Sequence, residues 1–223
     1  MIIVFDLDDV LYQEKFFFKS GLNAITNYIS NEYNIPKKQI LFFLKKRGIK
    51  NRVKIIDEIL NHFNLFSKNR VKKCLSIYRK HNPKIKLEED VKYCLKNLNI
   101  FSCYIVTDGN KIVQSNKIKA LKLEKYMKKC FLTSNYGLKN AKPSPYCFLK
   151  ICNLEKVRPV QVVYVGDNPK KDFIGIKPLG FHTIRLMKGR YKNLKKETKY
   201  ESDFQIKSLK ELNVKLIKKI QDS

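Results

Sequence analysis

Carboxylates gather in three short segments of this 223-residue chain: Asp6-Leu7-Asp8-Asp9-Val10-Leu11, Thr107-Asp108-Gly109-Asn110 and Gly166-Asp167-Asn168-Pro169-Lys170-Lys171-Asp172. Each follows a run of β-branched and aromatic residues that reads as a buried strand. A single strand-end acid means little, because acidic residues close many strands as turn formers or helix N-caps. Three in this order, with Lys142 between the second and the third, point to one shared site. Clustered carboxylates repel one another, so Asp6, Asp8, Asp167 and Asp172 can converge if a hard divalent cation sits among them. Oxygen ligands completed by water and a phosphate oxygen suit Mg2+.

The elements that must carry these residues are visible as alternating patterns. Continuous apolar runs at 1–6, Ser102–Val106 and Val160–Val165, with a shorter one at His182–Leu186, predict strands. Helical patterns at Lys111–Ala120 and Tyr146–Cys152 lie between the second and third. Helices alternating with such strands predict an α/β class: a doubly wound, Rossmann-like parallel sheet covered on both faces. Ligands of these sheets bind beyond the carboxyl ends of the strands, where the strand order reverses, and the acids stand at those ends. From Glu14 to Ile85 the apolar residues recur instead at helical spacing, as in Ile25, Tyr28 and Ile29, in Ile40, Phe43 and Leu44, and in Ile55, Ile56, Ile59 and Leu60. The expected organisation is therefore a catalytic core of residues 1–13 and 87–223 with a helical cap, 14–86, inserted between its first two strands. A strand-like Phe204-Gln205-Ile206 and an amphipathic helix, Leu209–Ile220, close the chain.

Composition narrows the partners. Hydrophobic residues make up 43%, with 14 Phe and 12 Tyr, enough for a buried core and too many for a disordered chain. No stretch approaches the ~18 apolar residues of a membrane-spanning helix, so no membrane is expected. The formal charge is +27, yet 40 of the 47 cations are Lys, spread along the whole chain. A groove built to read nucleic acid should be richer in Arg, so a nucleic-acid partner is not expected. A field this positive would instead draw in small anionic substrates. The six Cys include no C-x-x-C pair, and Met1–Phe5 runs straight into acid without a secretory pattern; reduced thiols in a cytoplasmic protein are the expectation. His62, His81 and His182 lie too far apart to suggest a zinc site.

The motifs together resemble the haloacid dehalogenase-like hydrolase superfamily, in the branch whose helical cap lies between the first and second motifs. The resemblance covers the core to about Leu186. It implies that Asp6 attacks phosphorus to give an aspartyl phosphate, while Asp8 protonates the leaving alcohol and later deprotonates water. It implies that Thr107 binds a phosphoryl oxygen and that Lys142 neutralises charge on phosphate and nucleophile. Asp167 would hold Mg2+ with Asp6 and the backbone carbonyl of Asp8, and Asp172 would ligate the ion or fix its shell. Amides of Leu7, Asp8 and Asp108, with Gly109 and Asn110, would cradle the phosphate. An acid at Asp8, where the dehalogenases of the superfamily typically carry an aromatic residue, points to phosphoryl chemistry.

Specificity in this branch resides in the cap, which directs attention to Lys45–Arg52 and within it to Gly48 and Arg52, similar to a cap loop of hexose-phosphate mutases. The expected activity is a Mg2+-dependent phosphatase of a small phosphorylated metabolite of the sugar phosphate, phosphoglycolate or nucleoside monophosphate type. Two other readings are kept. One is a phosphotransferase of the β-phosphoglucomutase type, against which Asp9 stands where those enzymes usually have Gly; the other is a basic nucleic-acid-associated binding protein. A monomer or homodimer is expected.

Overall fold

Four consecutive apolar residues, Ile2–Phe5, form a strand with neighbours on both sides, which is why neither of its faces carries a polar residue. The computed structural model describes residues 1–48, 52–195 and 197–221. Its elements run β1 (Ile2–Phe5), α1 (Glu14–Tyr33), α2 (Lys37–Arg47), α3 (Ile55–His62), α4 (Lys68–Lys80), α5 (Glu89–Asn97), β2 (Ser102–Thr107), α6 (Lys111–Ala120) and β3 (Lys129–Leu132). They continue with α7 (Tyr146–Glu155), β4 (Val162–Gly166), β5 (His182–Leu186), β6 (Phe204–Ile206) and α8 (Val214–Gln221).

The six strands make one sheet in the order β3-β2-β1-β4-β5-β6, and every pairing is parallel. The chain steps outward from β1 through β2 to β3, then returns to the other side of β1 with β4. The order thus reverses between β1 and β4, the place where sheets of this kind open a crevice. Phe5 is level with Ile105 of β2 and Val165 of β4, so the segments after all three strands emerge side by side. Ile2, Val4, Tyr104, Val106 and Tyr164 share one face, packed with Phe148 and Ile151 of α7 and with Phe173. Ile3, Phe5, Ile105, Val163 and Val165, on the alternate positions, are equally buried.

Three details depart from the sequence reading. β3 was not expected, because this four-residue edge strand buries only Phe131 and Leu132 and leads with an exposed Lys129. The third apolar run enters the sheet at Val162, since Pro159–Gln161 forms a 3-10 turn. The last helix begins at Val214; Leu209–Glu211 before it is a separate 3-10 turn capped by the Ser208 side chain.

The chain divides into two compact units, residues 1–14 with 85–223 and residues 15–84. The second is helical and has its own core, in which Phe18, Leu22, Ile25 and Ile29 meet Ile40, Ile55, Ile59, Leu60 and Cys74. Within it Gly48 ends α2 at a φ of 68°, and the Arg52 guanidinium lies 4.7 Å from the centre of the Phe18 ring. Ile49–Asn51, in the segment singled out for specificity, fall outside the described residues. Among the described residues no helix is long and apolar enough to cross a membrane.

Candidate active site

The β1 strand ends at Phe5 and delivers Asp6 to the crevice, its backbone N–H still bonded to Val165 of β4 at 2.9 Å. Three strands later in sequence, but next to β1 in the sheet, β4 delivers Asp167. Carboxylate oxygens of Asp6, Asp167 and Asp172 lie within 4.8 Å of one another, and all three residues are buried. Into this cluster reaches Lys142 from the segment between β3 and α7. Its Nζ lies 2.9 Å from Asp6 Oδ1 and 2.9 Å from Asp172 Oδ1, and it donates to the Tyr164 hydroxyl at 2.8 Å. Burial opposes a charge on Lys142, but Asp172 and Asp6 outweigh it and raise its pKa well above that of an ordinary lysine.

The two oxygens of Asp172 are committed to holding the loop. Oδ2 accepts from the backbone N–H of Asp167 (3.2 Å) and of Asn168 (2.8 Å), while Oδ1 takes Lys142 and, at 3.2 Å, the Tyr164 hydroxyl. Gly166 makes this possible, because a β-carbon there would come within 2.6 Å of Asp172 Oδ2. For Asp167 the Lys142 charge is a lesser offset. Burial first, and then the charges of Asp6 and Asp172, push its pKa up to about 9. Asp6 is raised to about 6, by burial and Asp172 against the opposing pull of Lys142. Buried oxygen donors that repel one another form the donor set of a hard divalent cation, so these residues fit Mg2+.

Asp8 is brought to the same end of the sheet but its side chain is turned to a different set of partners. Lys117 Nζ meets Oδ1 at 2.7 Å and Oδ2 at 2.9 Å, the Tyr12 hydroxyl donates to Oδ1 at 2.5 Å, and Gln114 Nε2 donates to Oδ2 at 3.0 Å. Burial works to raise the Asp8 carboxyl, yet Lys117 and these hydrogen bonds prevail and hold it below the usual carboxylate range. The same Gln114 nitrogen donates to Thr107 Oγ1 at 2.6 Å. The Asp8 carboxylate can only accept, which fixes the amide nitrogen on that side; Thr107 Oγ1 accepts from the same nitrogen, and its hydroxyl proton stays available for another acceptor.

The remaining predicted residues fall nearby with local duties. The Asp108 carboxylate accepts from the Lys142 backbone N–H (3.1 Å), the Thr133 hydroxyl (2.8 Å) and Lys171 Nζ (2.6 Å), and so ties together the segments after β2, β3 and β4. Burial opposes its charge, but Lys142 and Lys171 keep its pKa low. Gly109 turns the chain at a φ of 124°, and the Asn110 side chain caps α6 by accepting from Ile112 and Val113. Leu7 is fully buried, and Asp9 accepts from the Glu14 N–H at the start of α1. Sequence reasoning missed Lys117, Gln114, Tyr12 and Lys171. Gln114 and Lys117 do stand one helical turn apart just after the second motif, but Lys117 is one of 40 lysines and nothing local sets it apart.

The sequence profile of the haloacid dehalogenase-like hydrolases matches residues 3–186. A glyceraldehyde 3-phosphate phosphatase of Pyrococcus furiosus is 29% identical over 221 residues, covering 95% of this chain and 90% of that protein. A protein of the same name from Methanocaldococcus jannaschii is 28% identical, covering 98% and 97%. Among solved structures, a putative hydrolase of the superfamily from Bacillus subtilis, bound to magnesium, superposes with a TM-score of 0.65 at 19% identity, covering 95% of this chain and 96% of that one. A 2-haloacid dehalogenase of Pseudomonas syringae superposes equally well, with a TM-score of 0.65 at 18% identity and coverage of 95% and 96%, which speaks for the fold alone.

Proposed function

The chain belongs to the haloacid dehalogenase-like hydrolases and is a phosphoric monoester hydrolase, and on that premise we propose that it cleaves a small phosphorylated metabolite through an aspartyl phosphate on Asp6, with Mg2+ as cofactor. Glyceraldehyde 3-phosphate, named for the archaeal relatives, is the first candidate substrate. The observation that carries the reading is the convergence of the buried Asp6, Asp167 and Asp172, with the Lys142 ammonium bridging Asp6 and Asp172.

In this reading Asp6 and Asp167 hold the metal with the backbone carbonyl of Asp8, while Asp172, whose oxygens are already engaged, keeps the Asp167 loop in place. Mg2+, when bound, offsets the negative charge of phosphate and carboxylates. Lys142 presents Asp6 as a carboxylate next to the phosphoryl group, and the free Thr107 hydroxyl proton serves a phosphoryl oxygen. The bond from Asp6 to phosphorus forms as the ester bond breaks, and the departing alkoxide takes a proton from Asp8. Negative charge arriving with the phosphate favours that protonated form, against the pull of Lys117. Water then attacks the aspartyl phosphate and gives its proton to Asp8, restoring Asp6 and releasing inorganic phosphate. We assign substrate selection to the helical unit, Gly48 and Arg52 included.

Phosphate release from a panel of phosphorylated metabolites, with and without Mg2+, tests the reading beside Asp6→Asn. Release that needs the metal and vanishes in the variant is expected. Undiminished release by Asp6→Asn overturns the aspartyl-phosphate route.

A further inference from the structure

Lys117 is a buried lysine in the middle of α6, and its ammonium spans both oxygens of Asp8. Burying a charge pair contributes little net stability compared with apolar packing, so its presence calls for another explanation. The geometry supplies one. Oδ1 of Asp8 is held by Lys117 and Tyr12, and Oδ2 by Lys117 and Gln114, so four bonds from three directions fix the carboxylate plane. Gln114 and Lys117 stand one turn apart on α6 and present a single face to Asp8. Asn110 caps α6 immediately after the second motif, so the helix that carries the clamp is anchored to Thr107 by sequence as well as by the Gln114 bridge. Tyr12 closes the clamp from the β1 side, where its carbonyl accepts from Asp9 at 2.9 Å and Lys117 Nζ lies 5.9 Å from its ring centre.

We propose that Lys117, Gln114 and Tyr12 are positioning residues that aim the Asp8 carboxyl at the leaving-group oxygen, and that Gln114 keeps this aim in step with the phosphoryl contact of Thr107. The inference rests on the reading of Asp8 as the proton carrier. None of the three touches the reacting atoms; Lys117 and Tyr12 act through Asp8, and Gln114 through Asp8 and Thr107. The effect of Lys117 and Tyr12 is therefore confined to steps in which Asp8 moves a proton, and Gln114 adds to it a loss common to both esters. An alkyl ester needs a proton on its departing alkoxide, whereas the nitrophenolate of p-nitrophenyl phosphate departs without one. The specificity constant kcat/KM covers only events up to the first irreversible step, so a ratio of the two esters isolates the first proton transfer.

The test compares kcat/KM for glyceraldehyde 3-phosphate and p-nitrophenyl phosphate, with Mg2+, in the full chain and in Lys117→Met, Lys117→Arg, Gln114→Leu, Tyr12→Phe and Asp8→Asn. A positioned acid contributes on the order of 10²–10⁴ in rate, and losing the aim outweighs the easier protonation of Asp8 without the Lys117 charge, so Lys117→Met is expected to lower the alkyl value at least ~10-fold more than the aryl value. Lys117→Arg, which keeps charge and donors, recovers most of the ratio, and Gln114→Leu and Tyr12→Phe shift it in the same direction by less. Equal losses on both esters, or an unchanged ratio, in the three clamp variants overturn the inference. If Asp8→Asn alone shifts the ratio, the clamp fails while the reading of Asp8 stands. If Asp8→Asn leaves the ratio unchanged, the reading itself fails; where glyceraldehyde 3-phosphate is not hydrolysed, the alkyl ester is the best substrate of the metabolite panel. Should Lys117→Met not fold, Gln114→Leu and Tyr12→Phe carry the same comparison.

Discussion

A β-carbon placed on Gly175 would lie 1.7 Å from the carbonyl oxygen of Pro143. The residue that follows Lys142 is thus seated directly against the backbone after β4, and the position of the Lys142 ammonium depends on a hydrogen atom where any other residue has a side chain. Gly175→Ala should force these segments apart, with a loss of about 1–3 kcal/mol or more, as overpacking does elsewhere. Activity should fall with it, because Lys142 moves. Urea unfolding and phosphate release measured on the same preparation check this, and an alanine variant of native stability and activity would contradict the seating.

Lys142 is the cation that the buried cluster faces. Lys142→Met leaves Asp6 and Asp172 without it, and removing one partner of a buried pair typically destabilises by about 3–5 kcal/mol. The loss should be largest in EDTA at alkaline pH, where Asp6, raised to about 6, is ionised beside Asp172, and smaller at pH 5, where protonation of Asp6 relieves the repulsion. A urea-melt series across pH reads this directly. A pH-independent loss would mean that packing, not charge, explains the effect.

Asp6→Asn should separate activity from stability. The amide removes a buried charge that Asp172 repels while Lys142 keeps its pairing with Asp172. Phosphate release should fall by at least ~10³-fold with loss of the proposed nucleophile, while the unfolding midpoint in EDTA stays level or rises. A large drop in midpoint would show that Asp6 has a structural part instead.

The metal-free protein should lose stability as pH rises. Asp167 is raised to about 9 and Asp6 to about 6, both from 3.8, so between these values the native state holds protons that the unfolded chain has released. Stability contributed by a raised pKa is complete below the unfolded value and lost as pH climbs through the folded one, here from about 4 through about 9. Mg2+ held by these carboxylates, as proposed, would displace those protons, so its affinity should rise with pH and its stabilisation should be greater at pH 8 than at pH 6. Calorimetric titration in two buffers of different ionisation enthalpy counts the protons released; none released would mean that the ion binds elsewhere.

The fold and the outline of the site were readable along the chain because their signals are local. A buried parallel strand must be apolar on both faces, which marks Ile2–Phe5, Ser102–Thr107 and Val162–Gly166, and the acids that follow them are fixed to strand ends by a few covalent bonds. What could not be read depends on which strands become neighbours. Placing β4 beside β1 brings Asp167 to Asp6 across some 160 residues, and the same sheet order carries α6 over Asp8 so that one lysine among forty becomes its partner. The commitment of Asp172 to backbone amides, the contact of Gly175 with Pro143 and the clamp on Asp8 have no periodicity and no nearby signature. They arise when distant segments close to within a few ångströms, so residue type and spacing named the candidate chemistry while the packing of the sheet and its helices decided which atoms come together.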